Sequence, residues 1–334
     1  MAIETPTFGG VVPFTRNLLH SDFPVADGVV GLRTIMVNVY FLNAPPGGRL
    51  DRWVLVDAGL PISTHAIRAE ATKLHGRGVR PEAIILTHAH FDHTGTLETL
   101  AKEWDVPIYV HPLEIPYLTG KARYAPPDPW AGGGLFSLTS PLYPRGPLNL
   151  GGRVLPLPID HSLPFLPDWQ WIETPGHSPG HVSLFRDSDR TLIAGDAFVT
   201  TKQESLTSVL TQAQGVYGPP RYFTHDWQAA EESVETLAEL NPRVAATGHG
   251  TPMSGERLTR QLEALAHHFR EWAVPSNGRY AAEPVVSGED GPEAIPPAKG
   301  PPPRAYLMAG AVALGAAALV AGLSAHQHRI TRRT

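Results

Sequence analysis

Cysteine is absent from the 334-residue chain. Its absence excludes disulfide bonds, thiolate metal ligands and a cysteine nucleophile together. The first 300 residues also lack a cluster of lysine and arginine, and the formal net charge is -5. Proteins that bind nucleic acids need a basic surface to contact the phosphate backbone. We therefore expect no nucleic-acid partner.

The N-terminus lacks the features of a signal peptide. Its first ten residues, MAIETPTFGG, contain neither a basic start nor an apolar run. We therefore expect the folded part of the chain to begin in the cytoplasm. Hydrophobic residues make up 42% of the chain and charged residues 18%, so the chain can bury a sizeable core.

Apolar, β-branched runs alternate with a helical segment in the first half of the chain. We predict strands at residues 34–42, 52–59 and 83–87, with a helix at about 64–75 between the last two. The stretch 120–150 is rich in proline and glycine but also contains aromatic residues, which is typical of an ordered loop. We interpret this stretch, called the lid segment below, as a candidate cover for a site.

The second half of the chain repeats the order of strands and helices. Strands are predicted between residues 153 and 199, with RDSDR as a hairpin turn, and helices at about 226–240 and 256–273. Two runs of strands, each closed by helices, predict a mixed α/β (α+β) fold. In this fold two sheets pack face to face with helices outside.

The C-terminal part of the chain divides into three segments. Residues 281–304 carry proline, glycine and acidic residues without apolar periodicity, which predicts a semi-rigid linker. Residues 305–325 contain no charge over 21 positions, the length of one membrane crossing, and residues 326–334 form a basic tail. We predict a transmembrane helix at 305–325. A buried core helix is the alternative, but such a helix rarely follows a proline-rich linker.

These segments attach the folded body, residues 1–280, to a C-terminal membrane anchor. Without an export signal, the body is expected on the cytoplasmic side, although the arginines after the span favour the opposite orientation. Small residues four apart within the span would permit close helix pairing and hence a dimer. The sequence leaves the oligomeric state open.

A group of ionisable residues follows the apolar run at 83–87. In ILTHAHFDHTG, four such side chains occupy six positions: His88, His90, Asp92 and His93. The first two leave the strand end on the same side, and the last two lie where the chain turns toward a helix, so all four can converge. A buried carboxylate among imidazoles is costly without a cation. The stretch therefore predicts a divalent-metal site, with an exposed polar loop as the alternative.

Three later segments have the same form, in which an apolar strand ends in glycine and a ligand-type residue. TPGHSPGH supplies His177, LIAGD supplies Asp196 and AATGHG supplies His249. One histidine at a strand end is usually structural. Four segments of this form in one chain favour a shared metal site over separate structural roles.

Together, HAHFDH, PGHSPGH, GD and TGHG resemble the metal-binding motifs of the metallo-β-lactamase-fold hydrolases. The resemblance implies a four-layer αββα sandwich, formed by the catalytic domain at 1–280, with a two-metal site at one edge of the paired sheets. It implies these ligands: His88, His90 and His177 for the first ion, Asp92, His93 and His249 for the second, and Asp196 as the bridge between them. Two divalent ions are expected, zinc first, with iron or manganese as alternatives.

The resemblance also implies roles for residues around the ions. Asp57 in LVDAGL matches an early aspartate that supports the site, with a simple turn residue as the alternative. His181 belongs to the motif but not to the expected ligands, so it is either structural or faces the substrate. Asp92 is expected to pass a proton to the leaving group after a hydroxide between the ions attacks the substrate.

The ligand pattern narrows the expected reaction. With His93, a bridging Asp196 and no cysteine, it is similar to the glyoxalase-II, lactonase and phosphodiesterase branches. Phe198 stands where the acyl-homoserine lactonases carry a tyrosine, which counts against that activity. We expect hydrolysis of an ester, thioester or lactone of a small, partly apolar substrate. The alternatives are a phosphodiesterase, an oxidoreductase that uses one iron to oxidise persulfides, and a binding protein with a vestigial site.

Six residues are candidates for contacts with the substrate. Three are aromatic residues of the lid segment, and three follow the predicted bridging aspartate: Trp130, Phe136 and Tyr143, then Lys202, Tyr217 and Tyr222. Aromatic lid residues favour a substrate with an apolar acyl or ring portion. An ordinary surface or packing role is the alternative for each of the last three.

Overall fold

The first of two main sheets occupies the N-terminal half of the molecule. The computed structural model describes residues 20–43, 52–132 and 134–300 of the chain. Seven strands form this sheet in chain order: β1 His20–Ala26, β2 Val29–Thr34, β3 Val37–Asn43, β4 Trp53–Val56, β5 Ala83–Ile85, β6 Ile108–Val110 and β7 Val154–Pro156. The first four are antiparallel, whereas β4 to β7 are parallel, so these four end at the same edge.

The second sheet comes from the C-terminal half. The remaining strands are β8 Ser162–Leu163, β9 Leu166–Glu173, β10 Val182–Arg186, β11 Thr191–Ile193, β12 Val199–Thr201, β13 Gln214–Tyr217, β14 Val244–Ala246, β15 Met253–Ser254, β16 Val286–Gly288 and β17 Gly291–Ala294. Six of them form a sheet in the order β15, β14, β11, β10, β9, β8, in which β11 and β14 are parallel. The other four form two separate hairpins, β12 with β13 and β16 with β17.

Helices cover the outer faces of both sheets. They are α1 Thr64–His75, α2 Phe91–Thr94, α3 Leu97–Trp104, α4 Ile115–Leu118, α5 Leu135–Thr139, α6 Leu206–Thr211, α7 Trp227–Glu239, α8 Gly255–His267 and α9 Phe269–Trp272. Ile67 of α1 and Leu100 of α3 are buried in one cluster with Leu55 of the first sheet. Val234 of α7 is buried in another cluster with Leu192 of the second sheet.

A third apolar cluster lies between the two sheets. Tyr40 and Val56 of the first sheet are buried there with Trp171 and Leu184 of the second. Each sheet therefore buries one face against the other sheet and one face against helices. This arrangement confirms the predicted mixed α/β fold with two facing sheets and outer helices.

Two predicted boundaries differ from the structure. The strand predicted at 34–42 is divided between β2 and β3 by a turn in which Ile35 has a left-handed backbone, with φ 64°. Apolar residues continue through this turn, so periodicity alone does not reveal it. The helix predicted at 256–273 is interrupted at His268, whose ψ of 22° separates α8 from α9.

The segment 281–304 differs from the predicted linker. Strands β16 and β17 lie within it and pair as an antiparallel hairpin, in which Gly291 opens the second strand with a φ of 109°. The backbone N–H of Val285 donates to the carbonyl of His225, at 3.0 Å. Over its described part this segment therefore packs against the folded body, through backbone contacts that composition does not predict.

The predicted membrane anchor needs correction. The transmembrane helix at 305–325 and the basic tail at 326–334 lie outside the described residues. Within 20–43, 52–132 and 134–300, no helix is both long and apolar enough to cross a bilayer. The longest, α7 and α8, have 13 residues each, whereas a crossing needs about 20. On this finding the predicted membrane-anchored location is wrong, and nothing in the described residues supports the predicted membrane partner.

Candidate metal centre

Four loops at one edge of the paired sheets carry the predicted metal ligands. The loop with residues 88–93 follows β5, the one with Asp196 follows β11, and the one with His249 follows β14. His177 lies in the connection between β9 and β10. Because β11 and β14 run parallel, their loops emerge at the same edge of the second sheet. The topology thus brings segments about 160 positions apart to one place.

The first group of ligand-type residues contains three histidines. His88, His90 and His177 each offer a nitrogen, and these atoms lie within 4.8 Å of one another. Nδ1 of His90 is 3.0 Å from Nε2 of His177. Two lone pairs would repel at this distance unless a proton or a cation lay between them. A tetrahedral zinc ion with Zn–N bonds of about 2.0–2.1 Å would hold two nitrogens about 3.3 Å apart, which this geometry approaches.

The second group adjoins the first. Donor atoms of Asp92, His93 and His249 also lie within 4.8 Å of one another. Oδ2 of Asp196 is 3.6 Å from Nε2 of His93, 3.5 Å from Nε2 of His177 and 3.1 Å from Nε2 of His249. Asp196 therefore lies between the two groups, at the position expected of a bridging ligand.

Several buried polar atoms of this cluster have no hydrogen-bond partner in the described part of the chain. They are Nε2 of His88, Nε2 of His93 and Oδ1 of Asp196. Each unsatisfied buried group costs about 1–3 kcal/mol. Divalent cations would satisfy such imidazole and carboxylate donors, so the residues fit a metal centre. A Cβ on Gly248 would lie only 2.0 Å from Oδ1 of Asp196, so this approach requires glycine.

The first-group histidines are held in the neutral form that a metal ligand needs. Burial lowers the pKa values of His88, His90 and His177 well below the usual value. Neighbouring histidines lower the pKa values of the first two further, since a second positive charge nearby disfavours protonation. Their lone pairs are therefore available at neutral pH.

Nearby charged groups set the pKa values of His93 and Asp196 in the second part of the cluster. Burial disfavours the protonated form of His93, but Asp57 and Asp196 outweigh it and raise the pKa of His93 well above its usual value. Burial likewise disfavours the ionised Asp196 carboxyl, yet His249 and His93 hold its pKa well below the usual range. These groups stabilise each other as charges, so this part of the cluster keeps its anionic ligand at neutral pH.

Asp57 links two of the histidine-bearing elements. Its Oδ2 lies 2.8 Å from Nδ1 of His93 and accepts a hydrogen bond from the Thr87 hydroxyl at 2.9 Å. Its Oδ1 accepts from the Thr87 backbone N–H at 2.8 Å. These contacts orient the His93 ring so that Nε2 faces the cluster. Asp57 thus contacts one of the predicted ligands directly, and its supporting role stays a prediction.

Other protein groups orient the remaining rings. Nδ1 of His88 lies 3.0 Å from the Thr87 hydroxyl, and Nδ1 of His177 lies 3.3 Å from the Thr224 hydroxyl. Nδ1 of His249 lies 2.8 Å from the Met36 carbonyl. A ring held through one nitrogen presents the other to a metal ion. Sequence reasoning missed Thr224 and Met36, because neither belongs to a ligand motif.

His181 supports the cluster from outside the ligand set. Its Nδ1 lies 2.8 Å from the Thr174 hydroxyl, and its Nε2 accepts a hydrogen bond from the backbone N–H of Asp196 at 2.9 Å. Burial lowers the pKa of His181 to about 4. Both ring nitrogens therefore have partners within the protein, which favours the structural role over contact with a substrate.

Glu114 is a buried residue that sequence reasoning missed. One carboxylate oxygen, Oε2, accepts from the backbone N–H of Ala89 at 3.0 Å and from the Tyr124 hydroxyl. The other, Oε1, accepts from the Ser178 hydroxyl at 2.9 Å and from the backbone N–H of Gly180 at 2.8 Å. One carboxylate thus joins the loop of the first two histidines to the loop of the third. The signal in the sequence was a single acid inside the apolar run IYVHPLEIPYL.

Two of the six predicted substrate contacts lie in an aromatic cluster beside the metal centre. Phe223 stacks on the His90 ring, with centroids 4.7 Å apart. The Tyr143 ring of the lid segment lies 6.0 Å from Phe223 and 5.3 Å from Phe91. Tyr222 lies 5.1 Å from Phe223. The lid segment therefore reaches the metal side of the molecule through Tyr143.

The other four candidates are placed differently. Lys202 and Tyr217 line a cavity that none of the seven metal-type residues lines. Trp130 and Phe136 are half-buried and make no ring contact or side-chain hydrogen bond in the described part of the chain. None of these four residues therefore makes a described contact with the histidine cluster.

A buried histidine near the centre gives a prediction about pH. Burial, with a smaller effect of Arg279, lowers the pKa of His225 to about 3, and its Nε2 has no partner among the described residues. The ring is protonated below about pH 6.5 in the unfolded chain, but only below about pH 3 in the folded chain. Stability from this group is thus present above about pH 6.5 and is lost as the pH falls toward 3.

We expect His225→Leu to flatten the acid side of the stability curve. In wild-type metal-free protein this ring contributes a loss of about 2 kcal/mol between pH 6.5 and 5. Urea unfolding at several pH values measures the slope, and the variant should take up one proton fewer on unfolding. The exposed His267→Leu is the matched control and should keep the wild-type slope. Equal slopes for wild type and His225→Leu would show that His225 titrates normally.

Comparisons with known proteins show which proteins this chain is similar to. The family model described as the metallo-beta-lactamase superfamily matches residues 32–249. "Probable metallo-hydrolase YflN" of Bacillus subtilis (strain 168) is 46% identical over 258 residues, which are 77% of this chain and 97% of that protein. "Probable metallo-hydrolase YybB" of the same organism is 29% identical over 170 residues, 51% of this chain and 64% of that protein.

Solved structures were also found to be similar. A metallo-beta-lactamase from Erythrobacter litoralis has a TM-score of 0.49 and 17% identity, covering 77% of this chain and 99% of its own. A beta-lactamase domain protein from Burkholderia ambifaria has a TM-score of 0.49 and 22% identity, covering 74% and 76%.

Proposed function

The chain belongs to the metallo-beta-lactamase superfamily, and from this premise we propose that it is a hydrolase that uses two divalent metal ions. Its substrate is a small, partly apolar molecule with an ester, thioester or lactone bond. One observation carries the proposal: five histidines and two aspartates converge at one edge, with buried donor atoms that no described residue satisfies. The 46% identity to a protein named as a metallo-hydrolase supports it.

The donor set suits two ions of the zinc class, with iron or manganese as alternatives. The proposed ligands are His88, His90 and His177 for the first ion, Asp92, His93 and His249 for the second, and Asp196 for both. When bound, such ions lower the pKa of a coordinated water and place positive charge beside a substrate oxygen.

Asp92 is the residue proposed to move a proton. Its side chain is 13% exposed, whereas those of Asp196 and His249 are 2% exposed. Among these three residues, Asp92 is therefore the one that can contact both the metal-type residues and a substrate that enters from the solvent. A carboxylate there can accept a proton from the attacking water and pass it to the leaving group.

The aromatic cluster supports an apolar portion in the substrate. Tyr143, Tyr222 and Phe223 cover the side of the centre next to His90. Such rings bind apolar groups and exclude water, which strengthens electrostatic interactions inside the site. A phosphodiester of high charge density gains little from this surface. This contrast favours ester-type bonds over the phosphodiesterase alternative.

A substrate panel with metal analysis tests the proposal. Full-length protein is purified, its metals are counted, and esters, thioesters, lactones and phosphodiesters are assayed. We expect about two zinc ions per chain, turnover of at least one ester-type substrate, loss of activity with a chelator and recovery with added zinc.

Turnover of phosphodiesters alone would show that the argument from the aromatic cluster is wrong. One iron per chain with oxygen uptake on a persulfide would favour the oxidoreductase alternative instead.

A further inference from the structure

A separate cavity of about 560 Å³ is lined by the β12–β13 region, α8 and α9. Its volume lies within the range of small-molecule sites. None of the seven metal-type residues lines it. We infer that this cavity is a binding site for a small organic carboxylate with an apolar body. The inference does not depend on the hydrolysis proposed above.

The charges around the cavity favour an anion. Lys202, Arg221 and Arg260 line it together with one acid, Glu204, so the lining carries a net charge of +2 in a chain of net charge -5. The negative net charge of the whole chain repels anions, but the positive potential of this cavity attracts them locally. The lining therefore selects for the opposite charge.

Much of the hydrogen-bonding capacity of these cations is unused. The Lys202 ammonium makes no hydrogen bond or ion pair in the described part of the chain. Arg260 has Glu256 as an ion-pair partner, at 3.5 Å, and both side chains are largely exposed. Arg221 donates one guanidinium N–H to the Trp272 carbonyl. Free N–H groups thus remain for a carboxylate, which an arginine can bind through two parallel hydrogen bonds.

Neutral polar groups of the lining are already satisfied. The side-chain oxygen of Gln261 accepts from the backbone N–H of Val216 at 3.0 Å. The side-chain amide of Gln214 donates to the Pro252 carbonyl at 2.7 Å, and its oxygen accepts from Arg257 at 3.0 Å. A neutral polar ligand would find few free partners on these amides. Charge remains as the main polar feature by which the cavity can select a ligand.

Apolar side chains complete the lining. Val216, Tyr217, Leu265 and Trp272 contribute apolar surface, and Trp272 is 48% exposed. An aromatic or branched body of a ligand would bury these surfaces while its carboxylate meets the cations. Both features together define the ligand class.

Calorimetry with a matched pair of probes tests the inference. Full-length protein is titrated at neutral pH with 2-naphthoate and with 2-naphthol, which share a ring system but differ in charge. We expect naphthoate to bind at least about tenfold more tightly, and to weaken with added salt. The Lys202→Met, Arg260→Met double variant should lose about tenfold of the naphthoate affinity and keep the naphthol affinity.

Two control variants separate binding in this cavity from binding elsewhere on the protein. Arg270→Met removes a comparable exposed cation that pairs with Glu231 and does not line the cavity, and it should bind both probes as the wild type does. His90→Ala should also keep naphthoate binding, because it alters only the metal centre.

Equal affinities for the two probes would overturn the inference, as would unchanged naphthoate binding in the double variant. Loss of naphthoate binding in His90→Ala would place the anion at the metal centre instead. Loss of the affinity for both probes in the double variant would mean that charge does not select the ligand.

Discussion

Replacing His90 with alanine is expected to remove one metal ion per chain and to abolish hydrolysis. Nδ1 of His90 lies 3.0 Å from Nε2 of His177, so both nitrogens can bind the same ion. The alanine variant would remove one of these two ligands. Changes to groups that merely orient a metal ligand cost about 10–100-fold in metal affinity or activity. A direct ligand is worth more, so we expect activity to fall by more than about 100-fold.

Metal analysis and kinetics on the same preparation measure this effect. The matched control is His225→Ala, which removes an equally buried imidazole whose ring lies 6.3 Å from that of His90. It creates a similar hole in the core but belongs to no donor group of the cluster. If both variants lose the same activity and metal, the cause is damage to the fold rather than loss of a ligand.

The comparison also decides between an enzyme and a binding protein. A scaffold with a vestigial site would show no hydrolysis in wild type, whatever its metal content. An active wild type with an inactive, correctly folded His90→Ala variant excludes that alternative. Full activity in the variant would show that His90 is not a ligand.

The cluster of metal-type residues was predictable because its signals are local. His88, His90, Asp92 and His93 follow one short strand, and each of the other three residues follows a strand and a short connection that ends in glycine. Strand ends at one edge of a sheet are close in space, whatever the length and conformation of the loops between them. Periodicity and turn residues are therefore sufficient to locate this edge.

The supporting contacts were not predictable, because they join segments that the sequence keeps apart. Glu114 binds backbone groups 25 and 66 residues away, and His249 contacts a carbonyl 213 residues away. Backbone donors and acceptors carry no residue-specific signal. Phe223, which stacks on His90, lies in a loop whose composition suggests only packing.

The buried carboxylate of Glu114 connects two loops of the candidate metal centre, because each of its oxygens accepts hydrogen bonds from a different loop. Oε2 accepts from Ala89, which lies between the first two predicted ligands, and Oε1 accepts from Ser178 and Gly180, which follow the third. Burial raises the pKa of Glu114, while the hydrogen bonds from Tyr124 and from the two loops act in the opposite direction. The rigid carboxyl group thus sets the spacing of the two loops.

Glu114→Gln is expected to weaken the first metal ion selectively. The amide has almost the same shape, but its NH2 group would face N–H or O–H donors on one side, so one loop would lose its hydrogen bonds. We expect the affinity for the first ion to fall by about 10–100-fold, with the second ion retained and kcat reduced. Competitive metal titration of the full-length protein measures both affinities.

Glu70→Gln is the matched control for this change. Glu70 is also buried, at 7% exposure, but it lies on α1 and pairs with Lys73 at 3.0 Å on the outer side of the first sheet. Both variants alter a buried carboxylate and should lower the stability of the metal-free protein. Only the change at Glu114 should alter metal affinity, and Tyr124→Phe, which removes one of its hydrogen bonds, should have a smaller effect in the same direction. Unchanged affinity for both ions in Glu114→Gln would show that the two loops hold their spacing without this carboxylate.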